Sequence, residues 1–579
     1  MMKSFLRLSL SFFVLFNLAG CEKKSDDQVV KTSLNQETQS ALASFSPAVA
    51  NYLPNETAAF WIVRKDFDAY KKIAESPYKL MLGTGLLPTT ANNNLSKEKN
   101  IELQKILGIL EKAGLNKEGV IKNGVSFITG KLGANSEACK SDATKACEAS
   151  ITKAITPNID FGIYLEGPEL SKKIASLKQE LEKSDPSIKI NSLKLSDKEG
   201  LTITSGEASF TIFSEGDFAG ISTNPEYAIK PITKSTSNKI TELSNSKSFG
   251  ELYANTELNS ASTLMFSFAD ISKFADFKID GEKPLKDILP NLPEAAGIVT
   301  SYKDFPEAEI RVLMTKTGNS IFNEKTELSK SIPGSVALGG SLRLNIKDIL
   351  NTFLSEDASK AQSNPKSKEV NQVTEIANEF LPKDIKDGLS TINEVGLSVM
   401  QGSADALFPV VSFYFASSDA PKLGSSLKAL VSNAGKSFGV TIPAWEDTAV
   451  DGIATSSFMA PLGIGVVIGI KDNTVVLTSA KQGIKLVSET ISGQSKSLID
   501  SMKNRSGFVS GYLNADKIAY LIETVQGNLS MFTGGKSRFD RGSLDEIRKL
   551  GTVSLIGGFE GERVIKIGVS AEPVVVEKK

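Results

Sequence analysis

Hydrophobic residues recur with two periods along this chain. Phe161, Ile163 and Leu165 alternate as in a strand. So do Val466, Ile468 and Ile470 and, after Lys471-Asp472-Asn473, Val475 and Leu477. A period of two places such side chains on one face of a strand, and the short spacer predicts an antiparallel hairpin. Leu170, Ile174, Leu177 and Leu181 fall instead at the i, i+4, i+7 and i+11 spacing of one helical stripe, and Ile106, Leu107 and Leu110 begin another. Four strand-like runs end in an acid or amide where a helix is predicted to start: Asp66, Asp270, Asn345 and Asp516. An aromatic or Ile follows four residues later, at Tyr70, Phe274, Ile349 and Tyr520. Oxygen side chains at these positions suit capping of the free amides of a first turn, and the residue one turn on would face the core. Catalysis or metal binding would need a second acidic partner, and none recurs beside these residues.

These patterns occur twice in one order. Leu53-Pro54 opens a run matched at Ile332-Pro333. Gly124 to Gly130 corresponds to Gly396 to Gly402, and Tyr164 to Tyr414. Gly220-Ile221-Ser222-Thr223 falls opposite Val476-Leu477-Thr478-Ser479, and Gly297 with Phe305 opposite Gly551 with Phe559. The separations drift but the order holds, as loop insertions would leave it. The expectation is an α+β fold in two tandem similar domains, 48–325 and 326–573. Each would be a mostly antiparallel or mixed sheet with helices packed on one face. A signal segment 1–20, a polar tether 21–47 and a tail 574–579 would complete the chain.

Tyr52-Leu53-Pro54-Asn55-Glu56-Thr57 ahead of an apolar strand resembles the opening of a family of exported bacterial proteins of unknown function. Those begin with Leu-Pro, an acidic residue and Thr. The resemblance implies an exported setting and no known activity. The second opening departs from it, with Gly334-Ser335-Val336 after the proline.

The N-terminus has the parts of an export signal. Lys3 and Arg7 precede the apolar run Leu8–Leu18, which is shorter than the roughly 20 residues needed to span a bilayer. Leu18-Ala19-Gly20-Cys21 resembles the bacterial lipobox. The resemblance implies cleavage between Gly20 and Cys21, a diacylglyceryl thioether on Cys21 and an acyl chain such as palmitate on its amino group. One acyl chain binds a membrane marginally, at about 0.8 kcal/mol per buried CH₂, whereas three hold it permanently. By the enterobacterial sorting rule, Glu22 in place of Asp implies the outer membrane.

Composition narrows the chemistry. Among 579 residues, Lys+Arg number 66 and Asp+Glu 67, so the net charge is −1 and nothing points to nucleic acid. The chain has no histidine, which removes Ser-His-Asp and Cys-His catalysis and His-ligated zinc. Besides Cys21 there are Cys139 and Cys147, close together in a polar stretch, and an exported setting predicts a local disulfide between them.

Several motifs are matched only in part. Gly435-Lys436-Ser437-Phe438-Gly439 fits a nucleophile elbow, but a helix-like run precedes it, so it reads as a helix end. Gly534-Gly535-Lys536-Ser537 lacks the first P-loop glycine and, with Arg538 and Arg541, makes a basic loop. Ser425 with Lys428 and Ser363 with Lys366 have a Ser-x-x-Lys spacing that a chain rich in both residues produces by chance.

The features together predict no catalytic residue, metal ligand or cofactor. They favour an envelope lipoprotein that binds another envelope component or acts as a scaffold. A carrier or chaperone for an apolar ligand, lined by the run Met459–Gly469, is the alternative. A hydrolase working through Ser/Lys or paired carboxylates comes third.

Overall fold

The computed structural model describes residues 52–54, 57–64, 122–129, 160–176, 188–205, 208–233, 246–254, 262–274, 292–302, 306–315, 326–344, 382–402, 408–437, 441–459, 465–503, 507–533 and 541–572 apart from 562, with a few shorter pieces between. They fall into two units. One lies within 27–317 and includes Arg563–Ile565; the other lies within 318–562 and 566–579.

The strands of the first unit are β1 (Thr57–Arg64), β2 (Asn123–Thr129), β3 (Asp160–Glu166), β4 (Lys189–Leu195), β5 (Lys198–Ser205), β6 (Ala208–Glu215), β7 (Phe218–Ser222), β8 (Thr263–Asp270), β9 (Lys278–Ile279), β10 (Lys283–Pro284), β11 (Ala295–Tyr302) and β12 (Pro306–Leu313). Apart from the small β9–β10 pair, they form one antiparallel sheet in the order β4-β5-β6-β7-β3-β2-β1-β8-β11-β12. The short helices α1 (Pro225–Ala228), α2 (Lys230–Thr233) and α3 (Lys247–Leu252) lie between β7 and β8 in the chain.

The second unit contains β13 (Leu338–Arg343), β14 (Ile392–Met400), β15 (Val410–Ser417), β16 (Glu446–Val450), β17 (Ile453–Met459), β18 (Gly465–Lys471), β19 (Thr474–Thr478), β20 (Val509–Asn514) and β21 (Thr552–Glu560). Strand β22 (Val564–Glu572) follows. Its helices are α4 (Lys383–Leu389), α5 (Ala420–Ser437), α6 (Lys481–Ile491), α7 (Leu498–Ser501), α8 (Ala515–Thr533) and α9 (Arg541–Arg548). The pairing order is β16-β17-β18-β19-β15-β14-β13-β20-β21, again antiparallel. It repeats the first unit's order strand for strand from β4 through β11.

The α+β expectation is overturned. Antiparallel sheet dominates, with 47% strand against 30% helix among the described residues, and the two units do not form a clear two-domain α+β fold. One physical cause hid strands, and the helices are placed differently from the expectation. β4, β5 and β6 read KINSLKL, KEGLTITS and ASFTIFSE, where Ser, Thr and Lys dilute the apolar alternation. Helices also cover both faces of the sheet rather than one. Leu423 and Leu427 of α5 pack on Ile468 and Val475, whereas Ile484 and Val487 of α6 pack with Tyr414, Val467 and Val476. Neighbouring residues of one strand point to opposite faces, so β18 and β19 are covered on both sides although each was legible as a strand.

Turn chemistry sets the hairpins. Asp472 (φ 51°) lies between β18 and β19, and Asp451 (φ 45°) with Gly452 (φ 79°) between β16 and β17. Left-handed residues in two-residue loops match the twist of the flanking strands, and Asp and Gly tolerate them. One core cluster of the first unit is aromatic, with Phe60, Phe127, Tyr164, Phe249, Tyr253, Phe266 and Phe268 packed together, and another is mainly aliphatic, around Ile163, Leu165, Leu170 and Ile203. Gly297 makes room for one of these rings, because a Cβ there would lie 1.8 Å from the Tyr253 hydroxyl. Burying several such side chains contributes on the order of 2 kcal/mol each.

Candidate functional site

The ladders locate equivalent positions in the two units. In the first, Phe266, Ile62, Val125, Tyr164 and Gly220 stand side by side across β8, β1, β2, β3 and β7. In the second, Ser510, Ser341, Gly396, Tyr414 and Val476 do so across β20, β13, β14, β15 and β19. The tyrosines thus lie on matching strands, and both are buried. Tyr164 donates to the carbonyl of Tyr227 at 3.0 Å, and the Tyr414 hydroxyl lies 3.0 Å from that of Ser398. Burial raises both phenols, Tyr414 to about 12, so neither is an acid or base near neutral pH.

Small and polar residues in the second ladder replace Phe266, Ile62 and Val125 of the first. The segment Thr326–Ile332 fills the space. Thr326, Leu328, Ser329 and Ile332 are all buried, and a Cβ on Gly396 would meet Ile332 at 3.1 Å. The Thr326 hydroxyl lies 3.0 Å from that of Ser510. Glu394, on β14 and 0% exposed, holds the segment: its carboxylate accepts from the Glu327 and Leu328 amides, each at 2.9 Å. These amides open the 3₁₀ turn Leu328–Lys330, whose first N–H groups have no partner within the turn. Arg343 of β13 stands opposite Glu394 in the ladder, with its guanidinium 3.8 Å from the carboxylate. Burial pushes the Glu394 carboxyl above the usual glutamate range, against the pull of the two amides and Arg343. By the same ladders Arg64 and Asn123 occupy these positions in the first unit. The buried carboxylate therefore belongs to one unit and an amide to the other.

This centre is built to hold backbone. Both Glu394 oxygens are engaged by main-chain amides, and the neighbouring Ser329, Ser341 and Ser510 hydroxyls are buried away from solvent. A general base has to reach a substrate proton, and this carboxylate reaches none. Lys517, on α8, is lowered from the usual lysine range by burial, but its ammonium donates to the Ser335 carbonyl at 2.7 Å rather than to a hydroxyl. In the first unit Arg311, 0% exposed on β12, pairs with Glu309 at 3.1 Å, bonds the Thr256 hydroxyl and faces the Tyr253 ring. Sequence periodicity missed Glu394 and Arg311 because a charged residue in an apolar alternation reads as a solvent-facing position.

A cleft of about 500 Å³ opens at the surface of the second unit, lined by Lys330, Ser331, Thr490, Lys496, Ser497 and Asp500 among others. Lys330 is paired with Glu327 at 2.6 Å. Asp500 and Ser497 are spent on a capping box at the start of α7. Among the described residues, no group of three or more Cys, Asp or Glu could hold a metal ion, and no helix is long and apolar enough to cross a membrane.

Several expected features lie outside the described residues: the signal segment with Gly20 and Cys21, the Cys139–Cys147 pair, the Asp66 and Asn345 caps, and Gly534–Ser537 with Arg538. Arg541 opens α9. Asp516 is not the cap of α8. The helix begins at Ala515, and Asn514 accepts from the Lys517 amide at 3.0 Å. Asp516 stands within the first turn, 3.5 Å from Arg548. Asp270 leads into a 3₁₀ turn, Ile271–Phe274, and bonds the Ser272 hydroxyl. Gly435 lies inside the last turn of α5, where Ser437 donates to the Asn433 carbonyl at 3.1 Å. Lys428 does not face Ser425: it reaches Asp447 at 3.2 Å, and Ser425 bonds the Pro421 carbonyl.

No family model, curated protein or solved structure matches the chain.

Proposed function

We propose that this protein is a lipoprotein of the bacterial envelope, anchored through Cys21, that binds or scaffolds other envelope components and is not an enzyme. The anchor rests on Leu18-Ala19-Gly20-Cys21 behind a short apolar run, and Glu22 favours the outer membrane. The role rests on one observation above all: the buried carboxylate of the second unit spends both oxygens on the Glu327 and Leu328 amides. Its buried carboxyl, shifted upward by burial, is structural, and what remains is extended antiparallel sheet suited to presenting surfaces. The open cleft, lined by Lys330, Ser331, Lys496 and Asp500, is polar and does not favour an apolar-ligand carrier, which needs an enclosed greasy space.

The test replaces Cys21 with Ser and fractionates cells. The parent chain should sediment with membranes and carry the added mass of its acyl groups, and the variant should be released. A variant that stays with the membrane, or a parent without acyl mass, overturns the anchor. Cross-linking the parent in intact envelopes and identifying the captured proteins by mass spectrometry tests the scaffold role. Turnover of any substrate by purified protein would overturn it.

A further inference from the structure

Two strands end the sheets at open edges. Among the described residues, β4 pairs with β5 alone and β16 with β17 alone. They hold the same place in the repeated strand order. An edge strand offers a row of unpaired N–H and C=O groups, a template on which another strand can add. Neither strand contains proline or glycine, so no backbone donor is missing. Both are accessible: β4 is exposed at Lys189, Asn191, Ser192 and Lys194 and half-buried elsewhere, and β16 is exposed at Glu446, Asp447, Thr448 and Ala449.

Their charges are opposite. β4 carries exposed Lys189 and Lys194 and no acid. β16 carries exposed Glu446 and Asp447 and no basic residue, and each hairpin turn adds one acid, Asp197 after β4 and Asp451 after β16. Charged edges ordinarily block self-addition, and here each blocks its own kind: β4 against β4 would oppose lysines, and β16 against β16 would oppose acids. The one combination that charge favours is β4 with β16.

We propose that the protein assembles head to tail, the β4 edge of one copy adding to the β16 edge of a second copy to continue the sheet. Such contacts join unlike surfaces, so a joined pair keeps one free edge of each sign and the assembly grows as a chain or closes as a ring. Main-chain hydrogen bonds supply the adhesion and the charges choose the partner edge. The inference goes beyond the scaffold reading and does not depend on the anchor.

Two variants of the full-length chain in mild detergent test it. Lys189→Glu with Lys194→Glu makes both edges acidic. Glu446→Lys with Asp451→Asn removes the acidic character of β16 while leaving Asp447 to its Lys428 partner. Sedimentation velocity up to about 100 µM should show parent protein self-associating and each variant doing so at least about tenfold more weakly, since like charges then face each other across the added strand pair. Mixing the two variants equally should restore association in pairs, because the unaltered lysine edge β4 of the second variant meets the unaltered acidic edge β16 of the first. Restoration separates an edge contact from damage to the fold. A parent that stays monomeric, variants that associate like the parent, or a mixture that fails to associate overturns the proposal.

Discussion

At the scale of single residues, the second unit depends on one buried carboxylate. Removing Glu394 would leave one buried and one part-buried amide without acceptors, and a buried group of this kind costs about 1–3 kcal/mol. Glu394→Ala should therefore lower unfolding free energy by about 3 kcal/mol in urea denaturation. The pH dependence is sharper. Burial raises the folded carboxyl above the ordinary 4.5, so the folded state holds this proton more tightly than the unfolded chain does. Its contribution to stability is fully present below the unfolded pKa and is lost as pH rises through the folded value. The stability of the parent relative to Glu394→Gln should fall as pH climbs from below 4.5 through the raised pKa, then level off. A difference that is constant or grows with pH would contradict this. Asn123 at the equivalent position carries no such dependence, because an amide does not titrate.

At the scale of elements, the start of α8 separates a residue that caps from one that only resembles a cap. Asn514 has the position and the bond, through its side-chain oxygen to the Lys517 amide. Asp516 is exposed beside Arg548 and contributes as a first-turn anion. Asn514→Ala should cost about 1 kcal/mol in unfolding free energy, and Asp516→Ala less than about 0.5 kcal/mol. Equal losses would put the cap elsewhere. The sequence was legible to within two residues here, since Asn514 and Asp516 flank the same helix start and both residue types cap. Only the path of the backbone out of β20 chose between them. The strand pattern was equally legible in β3, β18 and β19, whose apolar alternation is clean, and illegible in β4 to β6, where Ser, Thr and Lys interrupt it.

At the scale of the molecule, the pairing is strongly non-local. β1 meets β2 at Ile62–Val125 and β8 at Ile62–Phe266, and the same arrangement recurs from β13 to β20. Closing long loops before their contacts form slows folding. Refolding from urea should have its main phase at milliseconds to seconds or slower, as followed by stopped-flow fluorescence, and a dominant microsecond phase would contradict the topology. The repeated order also shows why this carboxylate is interior in the second unit and replaced by Asn123 in the first: Thr326–Ile332 enters the second core and needs Glu394 to receive it.

By itself the sequence determined the local instructions: the alternation of β3 and β18, the hairpin at Asp472-Asn473, the helical stripe of Leu170 and Ile174, and the ordered recurrence that places Tyr164 and Tyr414 on matching strands. These follow from periodicity and turn preference, which act over a few residues. The tertiary structure alone decided that sheet outweighs helix, that helices cover both faces, that Glu394 and Arg311 are interior, and that β4 and β16 are left as oppositely charged edges. Each depends on which distant strand becomes a neighbour. The energy that settles it comes from burial and backbone pairing summed across the sheet rather than from any one segment.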